Sequence, residues 1–242
     1  MAKTYEAMIK SKGADATKGL SAAASTFDAP SPDLLSDKQM VDLNYMIEQK
    51  AGRNNLKIIN FVSSRSKEGT STVLVNFMRF MLERSASNNF LLVDANLQHP
   101  VLHLEFNVPS TPGLKDVLAD KAKLSDVTYK IESSDIYLIP NGNTLTFETS
   151  NIESKMYESI FSKLSDRYQY IFVDSPPLLE SSASLALATS ADITFLVIQA
   201  HRTQWEVAQK AKNYLDHYNC PVGGVILNRV SQPIPNWLYK RL

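Results

Sequence analysis

Strand-length runs of continuous Val, Ile, Leu and Phe recur along this chain, and stretches with helical spacing separate them. The apolar runs are LKIINFVSS (56–64), NNFLLVDAN (88–96), IYLIP (136–140), YIFVDSPP (170–177), ADITFLVIQA (191–200) and VGGVILNRV (222–230). Between them lie TSTVLVNFMRFMLERSA (70–86), SKMYESIFSKLSDRY (154–168) and TQWEVAQKAKNYLDHYN (203–219), the last with Val207, Ala211, Leu215 and Tyr218 at positions expected to share one face. A strand that is apolar at nearly every position is buried on both faces, which is the condition of a parallel sheet covered by helices. The expected architecture is therefore α/β, a three-layer α/β/α domain with a mostly parallel sheet.

The 242 residues suit one large domain with short appendages. Residues 1–35, with the run SAAASTFDAPSPD, read as a flexible N-terminal arm. The domain is expected over 36–235, opening with a helix capped at Ser36 and carrying Met40, Leu43 and Ile47 on one face. Residues 236–242 form a short aromatic and basic tail. Twenty-five basic residues balance 25 acidic ones, so there is no global field to hold nucleic acid. The single cysteine, Cys220, cannot form an internal disulfide and is expected to be buried. No run approaches the roughly 18 apolar residues of a membrane-spanning helix, so the chain is expected to be soluble and cytoplasmic.

In open α/β sheets, ligands bind beyond the carboxyl ends of the strands. The first apolar run ends there in SRSKEGTST, a polar turn leading straight into a helix. A phosphate-binding loop of the form G-x-x-x-x-G-K-[S/T] wraps phosphates in backbone N–H groups, neutralises them with lysine and offers a hydroxyl to magnesium. Gly69 and Ser71 match that pattern, while Ser64 opens the loop and Thr70 stands at the lysine position. On these residues alone, a phosphate loop and an ordinary turn capped by Ser or Thr are equal readings. Asp94 and Asp174 each end a buried strand, and two such carboxylates beside a phosphate-loop-like turn are what a magnesium nucleotide site requires, because hard cations take oxygen ligands. Either aspartate alone could be a turn or cap residue.

With these segments assembled, the chain resembles the bacterial tyrosine autokinases of capsule and exopolysaccharide synthesis. These lie within the deviant phosphate-loop ATPases that also include chromosome- and septum-positioning proteins. The likeness spans about residues 37–235 and includes PGLKDVLAD (112–120), IYLIPNGN (136–143), ADITFLVIQA and GVILNRV (224–230). It implies a P-loop NTPase-like domain that takes ATP or ADP with Mg2+. In that likeness the backbone of Glu68, Gly69, Thr70, Ser71 and Thr72 forms the phosphate cradle and Ser71 gives the magnesium hydroxyl. Asp94 corresponds to the catalytic or metal-organising carboxylate, Asp174 acts on magnesium or its waters, and Asn228 stands where similar proteins contact the adenine; a strand-end turn is the equal alternative for Asn228. An inner-membrane polysaccharide co-polymerase, chain-length or export protein is the implied partner, which would recruit a cytoplasmic chain to the membrane, and homo-oligomers are implied as well.

The departures from that family are informative. Thr70 replaces the loop lysine, Asn96 the second aspartate of D-x-D-x-R, and Gln98 its arginine. Phosphoryl transfer depends on electrostatic stabilisation of an anionic transition state, so a kinase lacking these charges is expected to be badly impaired. The tail carries a single tyrosine, Tyr239, where such kinases have a phosphorylated cluster, and the 36–50 helix lacks the arginines of the family's subunit contact. Lys67 or Arg65 could supply the lost cation. His99 and His103 have the i, i+4 spacing of a metal pair on a helical turn, without a third ligand, and read as surface or packing residues. The leading expectation is a degenerate, kinase-like protein that scaffolds or regulates a membrane polysaccharide partner. The alternative is an active ATP-dependent tyrosine kinase with a rearranged loop that modifies Tyr239 or another protein.

Overall fold

A computed structural model describes residues 35–84, 89–131, 134–142 and 153–230, with the side chains of 51–54 outside the description. The tail at 236–242, Tyr239 and residues 1–34 of the N-terminal arm also lie outside the described residues.

The chain opens with α1 (Asp37–Asn54), β1 (Ile58–Ser63) and α2 (Thr70–Arg84), then β2 (Phe90–Asp94) and two short helices, α3 (Leu102–Glu105) and α4 (Leu114–Leu118). Next come a single 3-10 turn, Leu124–Asp126, β3 (Tyr129–Lys130) and β4 (Ile136–Ile139). The second half consists of α5 (Ser154–Ser165), β5 (Tyr170–Asp174), α6 (Ser182–Ser190), β6 (Ile193–Gln199), α7 (Trp205–His217) and β7 (Val222–Asn228). Among the described residues, these strands form one sheet in the order β3-β4-β2-β5-β1-β6-β7. Every neighbouring pair is parallel except the antiparallel β3–β4 edge.

Alternation along each strand sends successive side chains to opposite faces. Phe90, Leu92 and Phe172 pack with Phe77 and Met78 of α2 and with Met40, Leu43 and Ile47 of α1. Leu91, Val93, Ile171 and Val173 pack on the other face with Tyr157, Ile160, Phe161 and Leu164 of α5. The i, i+3, i+4, i+7 spacing of those α5 residues makes the helix one-sided. At the β6 end, Val62 and Leu196 meet Ala211 and Leu215 of α7, with Cys220 buried beside them. The expected three-layer, mostly parallel sheet is therefore the observed one.

One detail differs from the expectation, and two others had no counterpart in it. The buried face of α7 is Ala208, Ala211 and Leu215; Val207 flanks it and Tyr218, just past the helix, is exposed. Trp205 is exposed at the first turn. The other is β3, whose two residues are too few to show a period and which takes its antiparallel direction from pairing with β4.

Phe172 is central to the packing. Its ring meets Phe77 at a centroid distance of 5.7 Å and Phe90 at 5.5 Å, both edge-on, and it is 1% exposed. Phe172→Ala is expected to cost about 3–5 kcal/mol, through lost transfer energy and a cavity the sheet cannot close. Urea unfolding checks this, and a loss below about 1 kcal/mol, a surface-like value, would contradict the packing described.

Candidate functional site: a basic cleft over two buried carboxylates

The loop between β1 and α2 is shaped by two residues with left-handed backbone, Lys67 at φ 68° and Gly69 at φ 93°. A Cβ at Gly69 would stand 2.2 Å from Asn228 Nδ2, so glycine is what lets the end of β7 close on the loop. Glu68, between them, is buried. Its carboxylate accepts the Ser64 N–H at 2.8 Å, the Ser64 hydroxyl at 2.7 Å, the Arg65 N–H at 3.1 Å and the Thr203 hydroxyl at 2.6 Å. From the other side, Asn228 Nδ2 donates to the Glu68 carbonyl at 3.0 Å while Asn228 Oδ1 accepts the Arg229 N–H at 2.9 Å. The loop is thus held by β7 and by the turn after β6.

α2 begins at Thr70, directly after this loop, with no acidic residue in its first turn. The first N–H groups of a helix lack intrahelical partners and its dipole is positive there, so this end of the 15-residue helix favours an anion. Gly69, Thr70, Ser71 and Thr72 all line a cleft of about 470 Å³. Lys67, Arg202, Arg229 and His99 border it too, and among the described residues no carboxylate does.

The acidic pair lies in the sheet beside this cleft. Parallel pairing of β2 with β5 sets Asp94 opposite Asp174, and both residues are 0% exposed. Asp174 accepts the Ser71 hydroxyl at 2.6 Å and Asp94 accepts the Leu102 N–H at 3.2 Å. The second oxygen of each carboxylate is buried without a hydrogen-bond partner, as is the Thr70 hydroxyl. Burial pushes the Asp94 carboxyl up to about 7, against the smaller opposing pull of N–H groups at Leu102, Asn96 and Val101 and of Lys115. Burial, reinforced by repulsion from Asp94, raises Asp174 well above the usual carboxylate range, and the Ser71 hydroxyl only partly offsets this. Like charges this close and this dry cannot both ionise unaided.

Orphaned carboxylate oxygens next to a serine hydroxyl make an oxygen-only donor set, which fits a hard cation such as Mg2+. Among the described residues, no three His, Cys, Asp or Glu side chains converge. A cation there would complete its shell with water and phosphate oxygens, as Mg2+ at nucleotide sites does.

Of the residues expected at the site, Gly69, Thr70, Ser71 and Thr72 meet at the cleft, and Ser71 links them to Asp174. Lys67 lines the same cleft, whereas Arg65 faces an adjoining groove with Glu68 and Thr203. Two further residues have defined places. Asn228 is buried and does not line the cleft; its amide is spent bracing the loop. His99 lies ahead of the four-residue α3 that holds His103, so the two do not form a pair on one helical turn. Asn96, in place of an aspartate, lines the cleft and its side-chain oxygen accepts the His99 N–H at 3.3 Å.

Sequence reading passed over Lys115, Arg202 and Arg229. Both arginines lie within three residues of a strand's carboxyl end, the same signal that pointed to Asp94 and Asp174. Lys115 had no such signal; α4 packing brings it close enough to Asp94 for each to shift the other's titration.

A sequence model described as "AAA domain" matches residues 56–216, more than half of the chain. The chain belongs to that family. It is similar to bacterial tyrosine kinases: it is 26% identical over 190 residues to tyrosine-protein kinase CpsD of Streptococcus agalactiae serotype Ia, an overlap covering 78% of this chain and 81% of CpsD. Among solved structures, the chimerical protein CapA2B2 superposes with a TM-score of 0.73 at 19% identity, over 86% of this chain and 89% of the other. The septum site-determining protein MinD of Pyrococcus horikoshii, solved with Mg-ADP, gives 0.62 at 24% identity, over 76% of each chain. These likenesses establish the P-loop NTPase-like fold of this AAA-domain chain.

The raised Asp94 carboxyl makes stability depend on pH. The folded chain keeps a proton that the unfolded chain releases near pH 4, so this group's contribution falls as pH climbs from about 4 to about 7. Asp94→Asn keeps the shape without the charge. Its melting temperature should exceed the wild type's by several degrees at pH 8, with the gap closing toward pH 4; parallel pH profiles for the two proteins would refute the buried charge.

Proposed function

We propose that this chain is a kinase-like phosphate-loop protein of capsule or exopolysaccharide assembly that has lost most phosphoryl-transfer capacity. It works in the cytoplasm as a regulator or scaffold of a membrane-embedded polysaccharide co-polymerase or export partner. The observation that carries the reading is Thr70. It occupies the place of the loop lysine with a neutral hydroxyl that is buried and unpartnered, at the start of a helix that otherwise keeps the cradle intact. The similarity to proteins named tyrosine kinases supports the kinase-like part of the reading.

In this reading, the α2 N-terminus holds the nucleotide phosphates, Ser71 and Asp174 orient the metal's oxygen shell, and Asp94 keeps the second carboxylate position. Bound Mg2+ would supply neutralisation of phosphate charge. What the chain's own residues no longer supply is the fixed cation at the transferring group, worth several orders of magnitude in rate in phosphoryl transfer. Binding survives such a loss better than turnover does, because backbone N–H groups and the helix dipole act on the ground state as well. The nucleotide then acts as a ligand that favours one conformer for the partner.

Calorimetric titration with ATP and ADP, with and without Mg2+, is expected to show magnesium-dependent binding that Asp174→Ala removes. Incubation with labelled ATP is expected to leave no phosphotyrosine, at Tyr239 or elsewhere, above the Asp94→Ala background. In cells, an Asp94→Ala variant that folds and still binds Mg-ATP should restore polysaccharide lost on deletion. Labelling well above that background, or failure of the folded variant to restore polymer, would overturn the scaffold in favour of an active kinase.

A further inference from the structure

The start of α2 has a neutral Thr70 where a phosphate loop has lysine, and the cleft's three arginine and lysine residues are not equivalent. Lys67 is exposed on the loop itself, and a lysine ammonium on a flexible stem is strongly hydrated and ill-defined in direction. Arg229 is partly buried and already engaged within the fold. Arg202 differs from both. Its guanidinium makes a hydrogen bond to the neutral Gln199 side chain at 3.3 Å, and among the described residues no carboxylate pairs with it. It borders both the main cleft, which Gly69 to Thr72 also line, and the adjoining groove, so it stands on the wall between them.

We infer that Arg202 supplies the phosphate-facing charge that Thr70 cannot, reaching a bound di- or triphosphate from the turn after β6. The inference rests on the nucleotide-binding part of the reading above and names the residue that makes it work. A planar guanidinium offers parallel N–H donors that match two phosphate oxygens, which suits it to hold a phosphate chain from the side.

The turn that carries Arg202 is not independent of the loop. The next residue, Thr203, donates its hydroxyl to the Glu68 carboxylate at 2.6 Å and accepts the Gln199 N–H at 3.2 Å. Glu68 in turn holds Ser64 and Arg65. The loop and the turn that carries Arg202 are therefore one hydrogen-bonded unit, with Thr203 as a positioning residue. A cation on this turn also differs in function from one at position 70. It lies outside the helix start, so it strengthens the bound state without restoring the lysine's place at the transferring group.

The test is calorimetry on the full-length protein with Mg-ATP, Mg-ADP and inorganic pyrophosphate. Arg202→Ala should weaken Mg-ATP and pyrophosphate binding by about tenfold or more, the scale of one charge-assisted hydrogen-bonded contact. Arg202→Lys should recover part of the loss, Lys67→Ala should lose less than Arg202→Ala, and Thr203→Val should weaken binding while the Lys-for-Arg recovery in that background disappears. Arg202 is exposed, so unchanged melting curves should accompany the loss; Arg202→Gln serves as a second variant should Arg202→Ala fold poorly. Affinity within about twofold of wild type for a folded Arg202 variant, or a larger loss in Lys67→Ala, overturns the inference and leaves nucleotide binding standing. Absence of wild-type binding at millimolar ligand overturns the nucleotide reading itself, and Arg202 falls with it.

Discussion

Two carboxylates side by side with no solvent contact are the constraint around which this molecule is organised. The β2–β5 register puts Asp94 opposite Asp174 at 0% exposure, and neither has enough partners to be comfortable as an anion. Such a pair is costly in a dry interior. It persists because both residues lie at the ends of strands whose preceding positions, Leu91 to Val93 and Ile171 to Val173, are fully packed on both faces. The stability of the sheet sustains an arrangement that is locally unfavourable, and such arrangements concentrate at sites that handle charge.

The second feature is that the phosphate loop owes its shape to side chains other than its missing lysine. Glu68 ties Ser64 and Arg65 to Thr203, and Asn228 ties the loop to β7 through the space that Gly69 leaves open. These bonds hold the backbone cradle whatever occupies position 70. That separation makes the backbone form of the loop independent of the charge at position 70. Loop geometry and loop charge are different physical properties, and substitution at Thr70 removes only the second.

Much of this was legible in the residues. Unbroken apolar runs identified the strands because burial on both faces leaves no room for polar alternation, and Asp94, Asp174 and Ser71 emerged from their places after those runs. The face of α7 was misjudged by part of a turn, since Val207 and Ala208 are both apolar and only packing against β6 selects between them. The sequence leaves Asn228 with two equal readings because nothing in it signals that its amide meets the Glu68 carbonyl, 160 positions earlier in the chain.

Sequence by itself determined the layer architecture, the location of a phosphate-loop-like turn and the threonine at its lysine position, because each is a matter of which residue types follow one another along the chain. Tertiary structure alone decided which charges share a space. Strand order brings the ends of β1, β2, β5, β6 and β7 to one side of the sheet, and only there do Lys67, Arg202 and Arg229 border one cleft while Lys115 acts on Asp94. Electrostatic interaction depends on distance through space and on dielectric surroundings, and neither quantity is a function of sequence separation.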